Sequence, residues 1–258
     1  MALVGLDLFR ERFAQHNKSF VLIGGTACLV AMELLGLEFR ATKDLDIVLC
    51  QEDSDPGFAR VLWAFIREGG YAQRETSSGR REYHRFAKPT TAGYPAMLEL
   101  FARAPEALTL AEDQHLVPAI RTIDETGDRL SLSAILLDTD YYGWLRTGRI
   151  QVKGLPIVRA EHLIPLKARA WLDLSTRQKA GEAIDQRDVR KHRNDVVRLS
   201  TIIDPDYRVG IPSAVRSDMA SFIAALSEGP LDLPALGLKK SSLGELQSIL
   251  TERYCSEG

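Results

Sequence analysis

The chain is poor in cysteine: Cys28, Cys50 and Cys255 are an odd number with no C-x-x-C spacing. That argues against a disulfide framework and a cysteine zinc site, and fits a reducing compartment. It also lacks an excess of either charge, with 33 basic against 35 acidic residues. A non-specific nucleic-acid binder advertises itself by a global basic excess, so any nucleic-acid site here must be local. No stretch offers the roughly 18 apolar residues that a membrane span needs. The first fifteen residues interrupt their apolar positions with Arg10, Glu11 and Arg12, unlike a signal peptide. The expectation is a soluble cytoplasmic protein without a membrane partner. Internal repeats and low-complexity tracts are absent, and so are the G-x-S-x-G, Walker A and Rossmann glycine fingerprints, which removes the commonest competing enzyme classes.

What is present is the pattern of a globular chain, 45% hydrophobic over 258 residues, enough for one large or two small domains. Leu6, Phe9 and Phe13 recur at helical spacing, and residues 19–23 form an apolar run that ends in Gly24-Gly25: helix, buried strand, tight turn. Residues 26–37 predict a helix with Thr26 as N-cap or first-turn residue. A second strand follows over 45–50. Pro56 opens a helix that carries Val61, Leu62, Phe65 and Ile66 on its apolar side and stops at Gly69-Gly70. Residues 82–88 and 96–101 predict two strands joined by a Pro, Thr and Gly rich hairpin loop. Further strands are expected over 131–137, 150–153 and 155–158. From Arg159 onward the texture is helical, over 161–174, 184–200, 217–226 and 242–254. The order is that of an α/β or α+β core, 1–158, followed by a mainly helical domain, 159–258.

Asp44 and Asp46 lie at i and i+2 where the second strand begins. A strand sends alternate side chains to one face, so the two carboxylates point together while Leu45 and Ile47 point into the core. Their repulsion is relieved by a divalent metal, and Mg2+ prefers oxygen ligands and bridges to phosphates. By itself a D-x-D is weak, since solvated strand starts are common. Its context is stronger: the strand before Gly24-Gly25 runs into a helix whose N-terminal N–H groups favour phosphate oxygens, where the glycines let backbone approach a ligand and Thr26 adds a hydroxyl. Glu99 is an acid inside the apolar run Met97-Leu98-Glu99-Leu100-Phe101, and a buried charge needs a partner. If its strand lies beside that of Asp44 and Asp46, three carboxylates could hold two metal ions that clamp a phosphoryl transfer. A buried salt bridge is the plainer alternative.

Gly24-Gly25-Thr26-Ala27 followed by Arg40-x-Thr42-x-Asp44-Leu45-Asp46-Ile47 resembles the signature of the nucleotidyltransferase superfamily, in the version found in AbiEii-type toxins of type IV toxin–antitoxin systems. Residues 161–170, Glu161-His162-Leu163-Ile164-Pro165-Leu166-Lys167-Ala168-Arg169-Ala170, resemble that family's helical motif, in which an acid precedes a lysine facing the nucleotide. Arg187-Asp188 and Asn194-Asp195 each match part of the closing motif, so which aspartate corresponds stays open. The likeness covers about residues 18 to 200. It implies a nucleotidyltransferase-like mixed sheet flanked by helices with a helical C-terminal domain. It also implies catalysis with two Mg2+ ions at Asp44, Asp46 and Glu99, and an NTP bound by Gly24, Gly25, Thr26, Lys167 and Asp195. NMP would pass to an acceptor hydroxyl such as the tRNA acceptor end, as a growth-inhibiting toxin that a cognate antitoxin protein neutralises.

Two local groups of cations could favour an RNA acceptor: Arg80, Arg81, Arg85 and Lys88, and Arg187, Arg190, Lys191, His192 and Arg193. Glu82, Asp185, Asp188 and Asp195 interleave with them, as on an ordinary solvated face. His84, His115 and His162 share no metal spacing and receive no role. Two rival readings remain: a small-molecule nucleotidyltransferase of the antibiotic-modifying kind, and a non-catalytic nucleotide-binding or protein-binding version of the fold.

Overall fold

The computed structural model describes residues 3–50, 56–75, 81–101, 109–110, 114–115 and 138–256. The expected strand over 131–137, together with Arg80 and the side chain of Arg81, lies outside them. The chain divides into two compact units, Met1–Arg129 with Arg149–Val158, and Leu130–Gly148 with Arg159–Gly258. The α+β class holds: a mixed sheet flanked by helices, then a helical C-terminal part.

The first unit opens with α1 (Leu6–Arg12), β1 (Phe20–Ile23), α2 (Gly24–Leu34), β2 (Asp44–Leu49) and α3 (Pro56–Gly69). Next come β3 (Ala72–Glu75), β4 (Arg81–Ala87) and β5 (Met97–Phe101), the short pair β6 (Thr109–Leu110) and β7 (Gln114–His115), and later β8 (Arg149–Val152) and β9 (Leu155–Val158). Seven strands form one sheet in the order β3-β4-β5-β2-β1-β9-β8. β2 runs antiparallel to β1 and parallel to β5, and β4 is antiparallel to β5, giving the expected hairpin. The edge strand β3, Ala72-Gln73-Arg74-Glu75, carries no apolar alternation that a sequence reading could find.

Directly paired residues share a face. Phe20 and Leu22 of β1 lie opposite Leu49 and Ile47 of β2, and on this face Phe20 meets the rings of Phe9 and Phe13, near the C-terminal end of α1, and Phe58 of α3. Leu45 and Ile47 are fully buried, as the alternation requires. Asp44 and Asp46 therefore emerge from the opposite face, together with Ile23. α2 buries every residue from Gly25 to Met32, which suits its apolar composition on all sides. The helix begins at Gly24, so Thr26 stands in its first turn and Ile23 is the cap residue.

The second unit comprises α4 (Thr139–Thr147), α5 (Ala160–Lys179), α6 (Gln186–Ser200), α7 (Ser213–Ala225) and α8 (Leu243–Tyr254). α4 was not foreseen, though Asp138 caps it by accepting from the N–H groups of Asp140 and Tyr141. α5 continues through Pro165, whose missing N–H leaves the Glu161 carbonyl without its helical donor. The Tyr254 hydroxyl supplies one at 2.8 Å, so α8 docks where α5 is chemically incomplete. Ser242 and Glu245 close a capping box at the start of α8. No described helix is long and apolar enough to cross a membrane.

Candidate active site

In the first unit the sheet places Glu99 beside Asp46, because β2 and β5 pair in parallel with Asp46 opposite Glu99 and Asp44 opposite Met97. All three acids thus share one face, as expected. Asp44 and Asp46 are half-buried and Glu99 is buried. Among the described residues, however, no group of three or more His, Cys, Asp or Glu side chains is arranged to hold a metal ion.

The charge on Glu99 has a partner that sequence reasoning assigned elsewhere. Arg85 pairs with Glu99 across β4 and β5, and its Nε and Nη2 both reach Oε1, at 2.9 and 2.8 Å. Both side chains are largely shielded, 16% and 10% exposed. Arg85 is thus engaged with Glu99 instead of standing in a basic surface group. The signal was available, because a cation facing an acid across a hairpin is the expected cross-strand pair.

The glycine pair has a structural reason of its own. Gly24 turns with φ of 64°, and a Cβ there would overlap the Asp46 carboxylate, standing 2.6 Å from Cγ. At Gly25 a Cβ would stand 2.6 Å from Thr42 Oγ1 and 3.5 Å from an Arg40 guanidinium nitrogen. The missing Cβ atoms let the chain's own polar side chains, Asp46 at Gly24 and Thr42 with Arg40 at Gly25, line the N-terminal turn of α2. Thr26 is buried, and its hydroxyl donates to the Asp44 carbonyl at 2.6 Å. That bond ties the first turn of α2 to the start of β2. Arg40 and Thr42, two residues apart like the acids that follow, complete the cluster.

Lys167 and Asp195 belong to the second unit, where α5 packs on α6 and brings them together as a buried ion pair, Nζ to Oδ2 3.2 Å. Arg198 lies 4.0 Å from the other carboxylate oxygen. Of the two aspartates left open by the motif, Asp195 is the one paired with Lys167, whereas Asp188 is exposed and lies 3.7 Å from Lys191. Glu161 accepts from Arg159 Nε and from the Asp204 N–H, both at 2.8 Å, which makes it a structural acid.

Part of the later basic group is engaged within the second unit. Arg193 is buried and donates to the Glu228 and Pro230 carbonyls, and burial lowers its pKa. Arg187 is bound to Asp185. His162 is a core histidine: its ring stacks on Trp144 at 3.9 Å. Nδ1 donates to the Trp144 carbonyl at 2.6 Å, and Nε2 accepts from the Tyr207 hydroxyl at 2.9 Å. The tautomer follows because a carbonyl can only accept. Burial pushes the His162 pKa down to about 4.

No family model matches the chain, and a search of curated proteins returns no match. Among solved structures, it is similar to an antigenic nucleotidyltransferase-like protein from Paracoccidioides brasiliensis, with a TM-score of 0.49 and 14% identity over 99% of this chain and 97% of that one. A likeness of that size leaves the functional reading to the residues themselves.

Proposed function

We propose that the chain is a metal-dependent nucleotidyltransferase. The observation that carries this reading is the convergence of Asp46 on the N-terminal turn of α2 at Gly24, with Glu99 next to Asp46 in the sheet. Helix N-terminal N–H groups favour phosphate oxygens, the Arg40 guanidinium lies by Gly25, and the aspartates offer the oxygen ligands that a divalent cation prefers. A triphosphate and its cation would be bound at this one place. The motif order over residues 24–47 supports the same reading.

Asp44 and Asp46 are the residues that would hold Mg2+, with Glu99 as third carboxylate on their face. Bound there, the ion supplies positive charge against the charge that develops on the phosphates. The acceptor hydroxyl oxygen attacks the α-phosphorus, a new O–P bond forms, the bond to the β-phosphate oxygen breaks, and pyrophosphate leaves. Asp46 takes the hydroxyl proton. Gly24 and Thr26 fix the two aspartates beforehand, and such prior positioning lowers the barrier more than proton transfer does. The resemblance adds Lys167 and Asp195 as nucleotide-binding residues, a role tested separately below.

The finer reading is transfer to an RNA hydroxyl such as the tRNA acceptor end, in a toxin that a partner protein neutralises. Engagement of Arg85 with Glu99 and of Arg193 with backbone carbonyls reduces the cations free for RNA and gives a small-molecule acceptor weight as second reading. Incubation with Mg2+, each α-labelled NTP and total cellular RNA, resolved on a denaturing gel, separates the two. A labelled tRNA-sized band supports the RNA reading; label confined to small acceptors in a cell extract overturns it.

A further inference from the structure

The carboxylate face carries a cation beside its three acids, because Arg85, Glu99 and Asp46 stand side by side on β4, β5 and β2. Adjacent strands lie about 4.8 Å apart, so the three side chains form a row with the cation at one end. We infer that Arg85, rather than a second divalent ion, is the counter-charge of Glu99, so that this face takes a single divalent cation, at Asp44 and Asp46. The inference rests on the reading of those aspartates as a cation site.

Three observations support it. Two nitrogens of the planar guanidinium converge on Glu99 Oε1 at 2.8 and 2.9 Å, a fork geometry that lysine cannot reproduce. The pair is mostly shielded from solvent, where attraction between opposite charges is least screened and removal of either partner is most costly. A second ion shared by Asp46 and Glu99 would stand beside that guanidinium, like charge against like charge. Consistent with this, no described set of three acidic, histidine or cysteine side chains is arranged for a metal.

Mn2+ binding to the intact chain, followed by electron paramagnetic resonance without nucleotide, tests this. One Mn2+ per chain is expected, weakened about tenfold or more by Asp46→Ala and by no more than about twofold by Glu99→Gln. Arg85→Met should admit a second Mn2+ that disappears again in Arg85→Met/Glu99→Gln, whereas Arg85→Lys should stay at one. Two ions in the native chain, or about tenfold weakening by Glu99→Gln, would overturn the inference; so would a single ion in folded Arg85→Met. If Arg85→Met fails to fold, Glu99→Gln decides alone, since its amide oxygen still accepts from Arg85. Mn2+ binding that is absent, or indifferent to Asp46→Ala, defeats the cation site itself and this inference with it.

Discussion

The carboxylate of Asp46 rests against the Cα of Gly24, with a Cβ at Gly24 standing 2.6 Å from Asp46 Cγ. The turn that starts α2 therefore exists in this form only if residue 24 is glycine, both for space and for its φ of 64°. Gly24→Ala must push Asp46 away by about an ångström, and displacement of that size costs on the order of a hundredfold in rate. Transfer kinetics at matched folded fraction check this; a Gly24→Ala protein with native activity would remove Asp46 from the site.

Thr26 holds Asp44 through its backbone. Thr26→Val keeps shape but leaves the Asp44 carbonyl without its 2.6 Å donor, a loss of about 1–3 kcal/mol. Thr26→Ser restores the hydroxyl. Urea unfolding should rank the proteins native, Ser, Val, and the affinity for Mn2+ should fall in Val only. Equal Mn2+ affinity in native and Val proteins would confine Thr26 to stability.

Lys167 and Asp195 separate structure from function by a double substitution. Lys167→Met strands a fully buried carboxylate, a loss of about 3 kcal/mol that the residual contact with Arg198 moderates. Lys167→Met/Asp195→Leu should recover most of that stability, since a buried pair is often replaceable by apolar groups. Nucleotide affinity should remain lost in the recovered protein. Native nucleotide affinity in the double variant would make the pair purely structural.

His162 predicts an acid weakness. Its folded pKa of about 4 lies below the ordinary value of 6.5, so the unfolded chain binds the proton more readily. The contribution is full above about pH 6.5 and is lost as pH falls toward 4, about 3 kcal/mol in all. Unfolding free energies between pH 7 and pH 4 should decline more steeply for the native protein than for His162→Gln. Parallel curves would mean that His162 is accessible to protons in the fold.

Much of this arrangement was legible in the residues. Alternation put Asp44 and Asp46 on one face and Leu45 and Ile47 in the core, and the oddity of Glu99 in an apolar run asked for a neighbour. The adjacency of β2 and β5 is long-range, and no local periodicity encodes which strands pair. Arg85 read as one cation among several because the expected hairpin alone left its register, and so the residue facing Glu99, unset. The glycines read as room for a ligand because sequence marks where a Cβ is missing without saying what fills the gap. β3 escaped because Ala72-Gln73-Arg74-Glu75 has no apolar alternation to read, and α4 because Asp138 stands alone as a cap signal.

Transfer of a nucleotide at the Asp46 site can be read directly from where the label of an NTP goes. The most direct measurement compares acceptor labelling from α-labelled and γ-labelled NTP with Mg2+, for the native and Asp46→Ala proteins, with folding of both checked by circular dichroism. Label is expected on an acceptor from the α position alone, with pyrophosphate released in equal amount, and neither with Asp46→Ala. Label from the γ position, or equal α-labelling by folded Asp46→Ala, would contradict it.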